Sequence, residues 1–264
     1  MKTNELKKKL KQGIPCMGPF LRLNSLAAEI IAIAGWDFGV IDIEHGVHSI
    51  SDIVPLKNAA AAFGMSTVVR VPGPSPIDIM RSLDAGSEGV QVPQITTLQQ
   101  VKDSCAAARF APLGNRGSCS YTTGAQYSLT PYPEHRVTSN EQVLTVIQVE
   151  TVEAANMIEE IVEIPGIDVV FCGPWDLSQS MGLPGQSTDP RVKDVIKKVA
   201  RVVTDKGINC GMHIEVVEQV PEWLDAGMTY FTCGTDAGML ARYAKNAADE
   251  NKKIIDKWMK LKDR

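Results

Sequence analysis

The chain has 264 residues, of which 44% are hydrophobic and 22% are charged, and its formal net charge is −4. These values are typical of an ordinary folded protein and exclude the disordered and fibrous classes. No stripe of lysine and arginine with interleaved aromatic residues occurs, so we expect no nucleic-acid partner. The lysine cluster at residues 7–11 is interpreted as the solvated face of an N-terminal helix.

The six cysteines are scattered without a C-x-x-C spacing, which predicts reduced thiols rather than a zinc site or a disulfide framework. The N-terminus lacks a signal-peptide pattern. No apolar run approaches the ~20 residues that a membrane-spanning helix needs. We therefore expect a cytoplasmic protein with no membrane partner.

Short apolar runs alternate with amphipathic helical stretches along the whole chain. The predicted strands are 16–21, 38–43, 67–71, 89–92, 144–149, 169–172, 209–212 and 230–233. Eight such units fit a closed parallel barrel, because each unit takes ~30 residues and buried parallel strands are continuously apolar. The sequence thus predicts the α/β class, as a (β/α)8 TIM barrel in a single domain over residues 1–264. An open doubly wound sheet is the alternative.

Two segments are longer than a regular barrel requires. The stretch 113–142 is a long polar connection before the fifth strand, and connections of that length are commonly lids or interface segments. An extended C-terminal helix starts at Ala237 and continues past Trp258. Its surplus apolar residues, which include Ile254, Ile255 and Met259, predict packing either on another subunit or under the chain's own barrel.

Polar side chains at the carboxyl ends of barrel strands are the catalytic candidates, because these ends converge on one mouth. The candidates are Asp42, Glu44 and His45 after the second strand, Arg70 after the third, Gln148 and Glu150 at the fifth, and Gly173, Pro174, Trp175 and Asp176 after the sixth.

Glu150 and Asp176 are the candidate metal ligands. Two carboxylates without a thiolate or an imidazole cluster suit a hard cation such as Mg²⁺ or Mn²⁺ that retains water ligands. The alternative is that both acids cap helices, since each precedes a helix or a turn.

The other candidates also have two interpretations. Arg70 ends an apolar strand, so it needs either a structural carboxylate or an anionic ligand. His45 is either a core histidine or a general acid or base. No lysine lies at a strand end, which disfavours a Schiff-base aldolase. Residues 233–238 are a plain helix start or a phosphate-binding turn.

Five motifs in order resemble the HpcH/HpaI aldolase family, and the match runs nearly end to end. They are Asp42-Ile-Glu44-His45, Val-Val-Arg70, Pro112-Leu-Gly-Asn-Arg116-Gly117, Gln148-Val-Glu150-Thr151 and Gly173-Pro174-Trp-Asp176-Leu-Ser178. The resemblance implies a metal-dependent pyruvate aldolase barrel that uses Mg²⁺, Mn²⁺ or Co²⁺.

The resemblance also implies a role for each candidate residue. Glu150 and Asp176 bind the metal, and Arg70 stabilises the enolate. His45 is the catalytic base, and Asp84 raises the basicity of that histidine. Of the remaining residues, Gln148 and the segment Gly173, Pro174 and Trp175 contact the 2-oxo acid, whereas Asp42 and Glu44 order metal-bound water.

The expected reaction is reversible cleavage of a 4-hydroxy-2-oxo acid into pyruvate, or a close 2-oxo acid, and an aldehyde. The identity of the aldehyde is open, because Phe20, Trp175 and His213 depart from one branch of the family. The alternatives are a citryl- or malyl-CoA lyase and a catalytically silent barrel that binds a 2-oxo acid.

The position of Asp84 predicts a site shared between subunits. Asp84 ends a helix just before the fourth strand, near the amino-terminal face, whereas His45 lies beyond the carboxyl end of a strand. A contact between them is therefore expected to join two protomers of a homo-oligomer, a hexamer or trimer of dimers. The alternative is that Asp84 caps the turn from helix to strand.

Overall fold

The computed structural model of the chain describes residues 3–262. Its strands are β1 Cys16–Leu21, β2 Phe38–Asp42, β3 Ser66–Arg70, β4 Gly89–Val92, β5 Leu144–Val149, β6 Val169–Cys172, β7 Asn209–Ile214 and β8 Tyr230–Thr235. Its α-helices are α1 Glu5–Lys11, α2 Ser25–Ile33, α3 Ile50–Ala62, α4 Pro76–Asp84, α5 Leu98–Ala107, α6 Tyr132–Gln142, α7 Val152–Asn156, α8 Ile158–Ile161, α9 Pro174–Ser180, α10 Pro190–Asp205, α11 Val220–Asp225 and α12 Asp236–Lys262. Two 3₁₀ turns cover Gln126–Ser128 and Val217–Gln219.

The eight strands form a closed parallel barrel in chain order. β1 closes the barrel against β8, with a register irregularity between Gly18 and Phe20. This confirms the predicted (β/α)8 TIM barrel and excludes the open sheet. All eight carboxyl ends lie on one face, which is where the polar strand-end residues gather.

The strands are buried because apolar side chains cover both of their surfaces. One core cluster fills the barrel interior, where the Phe38 and Tyr230 rings stack at 4.5 Å between centroids. Leu6 and Leu10 of α1 belong to the same cluster, so the N-terminal helix packs against the interior core. A larger cluster lies between the strands and the surrounding helices. The barrel is therefore a solid core that holds its carboxyl-terminal rim in place.

Two stretches differ from the sequence prediction. The segment 113–142 is not wholly a loop, because helix α6 occupies its last 11 residues. One of the amphipathic stretches between the strands, 151–161, forms two short helices, α7 and α8, which are divided at Met157. Neither difference alters the order of strands in the barrel.

The extended C-terminal helix is confirmed as α12, which has 27 residues. At 1.5 Å per residue it measures about 40 Å. Its contacts within the chain are mainly with β1, β8 and α2, and Asp236 is its one buried residue among those described. In the range 3–262, no helix combines the length and apolarity needed to cross a bilayer.

Candidate active site

A cavity of about 290 Å³ opens at the carboxyl-terminal rim of the barrel. It is lined by Phe20, Arg22, His45, Arg70, Gln148, Phe171, Gly173, Pro174, Trp175, Asp176, His213 and Thr235. Seven of the sequence candidates therefore meet in one place. Glu150 borders this wall, since a Cβ built on Gly173 would stand 2.9 Å from its Oε2.

Arg70 is held by carboxylates on the rim. Its Nε and Nη2 donate to Asp42 Oδ1 and Oδ2 at 3.0 and 2.8 Å, and its Nη1 lies 3.2 Å from Glu44 Oε2. Its guanidinium also lies over the Phe20 ring, 4.4 Å from the centroid. Arg70 thus has structural carboxylate partners and also faces the cavity, so the two interpretations from the sequence are compatible.

Asp42 is shared by two arginines. Arg22 donates from Nε to Asp42 Oδ2 at 2.8 Å, alongside the pair of bonds from Arg70. Burial alone would raise the pKa of Asp42, but hydrogen bonds and charge from Arg70, with the charge of Arg22, hold that pKa below its ordinary value. Arg22 was not among the sequence candidates, although its charge directly after an apolar strand was an available signal.

Glu150 is buried, and its surroundings disfavour the charged form of its carboxyl group. Its Oε1 accepts from the backbone N–H of Gln94 at 2.6 Å, and its Oε2 accepts from Gln148 Nε2. Burial, with smaller contributions from the charges of Asp176 and Glu44, raises the pKa of Glu150 to about 7. A cation placed between these carboxylates would relieve that penalty.

Neither acid serves as a helix cap. The cap of α7 is the Thr151 hydroxyl, which accepts from Ala154 N at 3.1 Å, so Glu150 is not needed there. The N-cap of α9 is Gly173, without a side-chain cap bond, and Asp176 lies inside the first turn. The helix-capping alternative therefore does not describe the geometry of either carboxylate.

Gly173 allows the wall of the site to close. Its hypothetical Cβ would also lie 2.9 Å from the Cβ of Glu150 and 3.4 Å from the Gln148 amide nitrogen. Any larger residue would displace these two side chains. Pro174 follows at the first position of α9, and Trp175 is 49% exposed at the cavity wall.

Gln94 connects two parts of the rim. It has a left-handed backbone with φ of 59°, which is uncommon for a residue with a side chain. This conformation directs its N–H at Glu150, while its side-chain Nε2 donates to Glu44 Oε1 at 2.9 Å. Sequence reasoning missed Gln94, because a backbone donor leaves no signature in residue type.

His45 and Asp84 are not in contact within the described chain. The His45 side chain is 54% exposed at the rim, with Nε2 lying 3.6 Å from Glu44 Oε2. Asp84 ends α4 and pairs with Arg116 Nη2 at 2.6 Å. One protomer alone therefore does not unite the two residues that the family pattern connects.

Two further features of the rim bear on the sequence interpretations. His213 Nδ1 lies 3.0 Å from Thr232 Oγ1, and burial, reinforced by Arg70, lowers the pKa of this imidazole to about 4. Asp236 accepts from the backbone N–H groups of Arg22 and Leu23 at 2.9 and 3.0 Å. Within the turn at 233–238, the N–H groups of Ala237 and Gly238 donate to Asp236 Oδ1 and Thr235 Oγ1 at 2.7 and 2.8 Å, as expected for a plain helix start.

The donor set suits a hard cation. Glu150 and Asp176 offer oxygen ligands, and Glu44 adds negative charge nearby. Within residues 3–262, no group of three or more His, Cys, Asp or Glu side chains forms a metal cage. Two protein ligands fit a cation such as Mg²⁺, which keeps several waters and shares its coordination with substrate oxygens.

These features define the class as a barrel enzyme with an arginine and paired carboxylates at its catalytic rim. The HpcH/HpaI aldolase/citrate lyase family model matches residues 18–242. The 4-hydroxy-2-oxo-heptane-1,7-dioate aldolase of Escherichia coli is 31% identical over 246 residues, covering 93% of this chain and 94% of the relative.

Solved structures agree with the sequence match. A HpcH/HpaI aldolase/citrate lyase family protein from Burkholderia cenocepacia J2315 has a TM-score of 0.89 and 30% identity, covering 95% of this chain and 100% of its own. The citrate synthase SbnG has a TM-score of 0.87 and 29% identity, covering 95% and 98%. The chain belongs to the HpcH/HpaI aldolase/citrate lyase family and is a carbon–carbon lyase, which confirms the resemblance found in its motifs.

Proposed function

We propose that the protein catalyses reversible, metal-dependent aldol cleavage of a 4-hydroxy-2-oxo acid to pyruvate, or a close 2-oxo acid, and an aldehyde. The observation that carries the proposal is the meeting of Arg70, Glu150 and Asp176 at one cavity, whose described lining contains no lysine. The similarity to a 4-hydroxy-2-oxo-heptane-1,7-dioate aldolase supports the same reaction class.

Glu150 and Asp176 are the proposed metal ligands, with Mg²⁺, Mn²⁺ or Co²⁺ as the cation. When bound, the cation would offset the negative charge that develops as the 2-oxo acid becomes an enolate. Gln148 and the segment 173–175 form the wall against which the 2-oxo acid lies. In this arrangement Asp42 and Glu44 hold Arg70 and complete the polar rim.

Arg70 and His45 have complementary roles in the proposed reaction. His45 removes the proton of the substrate's 4-hydroxyl group, and the C3–C4 bond breaks to release the aldehyde. The electron pair of that bond becomes the enolate, beside the fixed guanidinium of Arg70. Protonation of the enolate at C3 then gives the 2-oxo acid product.

Chelation and borohydride trapping together test the proposal. A chelator should abolish pyruvate–aldehyde exchange, and added Mg²⁺, Mn²⁺ or Co²⁺ should restore it. Sodium borohydride with pyruvate should leave activity intact, because no Schiff base forms. Inactivation through a lysine adduct would show that the proposal is wrong. A panel of aldehydes in the same assay would identify the substrate.

Citrate chemistry is the second candidate, since the family description includes citrate lyase and the structural relative SbnG is a citrate synthase. A citryl- or malyl-CoA lyase would share the acids and the arginine, but the adjacent Glu44 and His45 favour an aldolase. Turnover of acyl-CoA thioesters in place of free hydroxy-oxo acids would favour the second candidate. Pyruvate binding without turnover of either would instead indicate a silent binding barrel.

We also propose a homo-oligomer, as a hexamer or trimer of dimers. The apolar side chains of α12 at Ile254, Ile255 and Trp258 are 68%, 59% and 54% exposed. On α2, Leu26, Ile30 and Ile33 form an exposed stripe at helical spacing. A barrel normally has a ring of helices outside it. Exposed apolar surfaces of this kind are often covered by another subunit, and this supports the proposed assembly. A cytoplasmic location stays a prediction from the sequence.

A further inference from the structure

A second, more enclosed cavity of about 220 Å³ lies at the opposite end of the barrel from the catalytic rim. Its walls include Glu88 and Val143, which immediately precede β4 and β5, so it belongs to the amino-terminal face. Helix α6 and the segment 123–126 cover it, with Gly86 and Lys57 along its sides. None of its lining residues belongs to the candidate active site.

Three buried polar atoms on residues lining this cavity have no hydrogen-bond partner within the described chain. They are Glu88 Oε2, Arg116 Nε and His135 Nδ1. The Arg116 and His135 side chains belong to residues that are only 6% and 3% exposed. Buried polar groups are almost always paired, because each unpaired one carries its full desolvation cost. The grouping of three such atoms around one cavity indicates a place for a polar occupant.

Two of the three guanidinium nitrogens of Arg116 are already hydrogen-bonded, and this fixes the direction of the unpaired Nε–H. Nη2 is committed to Asp84 at 2.6 Å and Nη1 to Ser139 Oγ at 3.3 Å, which leaves Nε without a partner. The guanidinium also lies over the Phe110 ring, 4.6 Å from the centroid, so it cannot turn freely. Nε therefore requires an acceptor, as a carboxylate oxygen would supply.

Glu88 and His135 require a different kind of group. Burial raises the pKa of Glu88 and lowers that of His135. Glu88 Oε2 can accept a hydrogen bond, and His135 Nδ1 donates or accepts according to its tautomer. A hydroxyl group, which both donates and accepts, matches these two atoms.

We propose that this amino-terminal cavity, lined by Glu88, Arg116 and His135, is a binding site for a small hydroxylated carboxylate. Arg116 Nε donates to the carboxylate, and Glu88 and His135 exchange hydrogen bonds with the hydroxyl group. The cavity has room for about seven waters at ~30 Å³ each, or for a compact acid of three or four carbons. Such a ligand would satisfy all three unpaired atoms at once.

Calorimetric titration of the full-length, Mg²⁺-loaded enzyme with three near-isosteric probes tests this site. Lactate carries both groups, propionate lacks the hydroxyl group, and 1,2-propanediol lacks the carboxylate. We expect lactate to bind at least tenfold more tightly than either partial analogue. Glu88→Gln and His135→Phe should each weaken lactate binding at least tenfold, with the fold of each variant checked by circular dichroism.

Two control variants separate this site from the catalytic rim. Lactate affinity should be unchanged in Arg70→Ala and in Glu159→Gln, which removes an exposed carboxylate elsewhere. Loss of lactate binding in Arg70→Ala with no change in Glu88→Gln would assign the binding to the rim and overturn the proposal. So would the absence of any binding heat, or a crystal soaked in lactate that holds only waters in the cavity.

Discussion

Asp42 and Arg70 are register partners on the adjacent strands β2 and β3, and their side chains are joined by two hydrogen bonds of 3.0 and 2.8 Å. The last residue of one strand thereby fixes the last residue of the next. A guanidinium held in this way needs little reorganisation when negative charge develops beside it. Arg22 keeps the buried Asp42 paired from a second direction.

Arg70→Ala is expected to lower kcat at least a hundredfold, about 3 kcal/mol, because the lost cation acts mainly on the transition state. Arg70→Lys should recover little activity, since an ammonium cannot reproduce the guanidinium fork. Steady-state kinetics of the aldol reaction measure both effects. Thermal unfolding is the control, since Asp42 loses a partner in both variants. A near-normal kcat in a folded Arg70→Ala protein would assign Arg70 to structure alone.

Metal binding is expected to release a proton from Glu150. In the metal-free protein the pKa of this carboxyl is raised to about 7, so the group is protonated below that pH. Metal affinity should therefore rise as pH increases from 6 to about 8 and level off above, because only the carboxylate binds the cation. The same pKa shift lowers the stability of the metal-free fold as pH rises from about 4.5 to 7, since the folded state holds the extra proton.

Calorimetry in buffers of different ionisation enthalpy measures this proton release. Nearly one proton per cation is expected at pH 6 and almost none at pH 8.5. Glu150→Gln keeps the shape of the side chain and should remove both metal binding and the pH dependence. Proton release that does not change with pH would contradict the assignment.

His213 should make the fold sensitive to acid. Its pKa is about 4 in the folded protein against an ordinary value of 6.5, so the unfolded chain binds more protons between these values. Stability is therefore lost as pH falls from 6.5 to 4, by up to about 3 kcal/mol from this group. Urea unfolding of the wild type and His213→Gln at pH 7 and pH 4.5 isolates the effect. An equal loss of stability in both proteins would exclude His213 as the cause.

Much of this architecture could be predicted from residue types. The bounds of β1, β4, β5 and β6 coincide with their apolar runs, because strands buried on both surfaces are continuously hydrophobic. The same reasoning placed Glu150 and Arg70 at the rim, since a charge that ends such a run marks the carboxyl-terminal mouth of the barrel.

Other parts of the structure leave a weaker trace in the sequence. Helix α6 is mostly polar, with only His135 and Ser139 buried, so it lacks the apolar periodicity that predicts a helix. The role of Gln94 depends on a backbone N–H in a left-handed conformation that glutamine rarely adopts. The pairing of Asp84 with Arg116 joins residues 32 positions apart, and it depends on the fold rather than on spacing.

The surface helix α12 allows a direct test of the proposed oligomer. Trp258→Asp should dissociate the assembly, because it places a charge within an apolar surface that a second copy is expected to cover. Lys252→Asp introduces the same residue nearby on the helix without removing an apolar side chain, and it should leave the assembly intact. Sedimentation or light scattering measures the mass of each. A monomeric wild-type protein would contradict the prediction.

The final prediction is that His45 and Asp84 act together across a subunit boundary. Asp84 is held by Arg116 at the amino-terminal face while its side chain keeps 20% exposure, so a neighbouring protomer can reach it. Asp84→Asn is the suitable variant, because the amide oxygen still accepts from Arg116 and avoids an unpaired buried guanidinium.

We expect Asp84→Asn and His45→Ala each to be nearly inactive alone and to regain part of the activity when their subunits are mixed, since some interfaces then contain both native residues. The same mixture in which the His45→Ala chain also carries Asp84→Asn is the control and should stay inactive. If subunit exchange is verified by mass and the first mixture regains nothing, the two residues do not share a site.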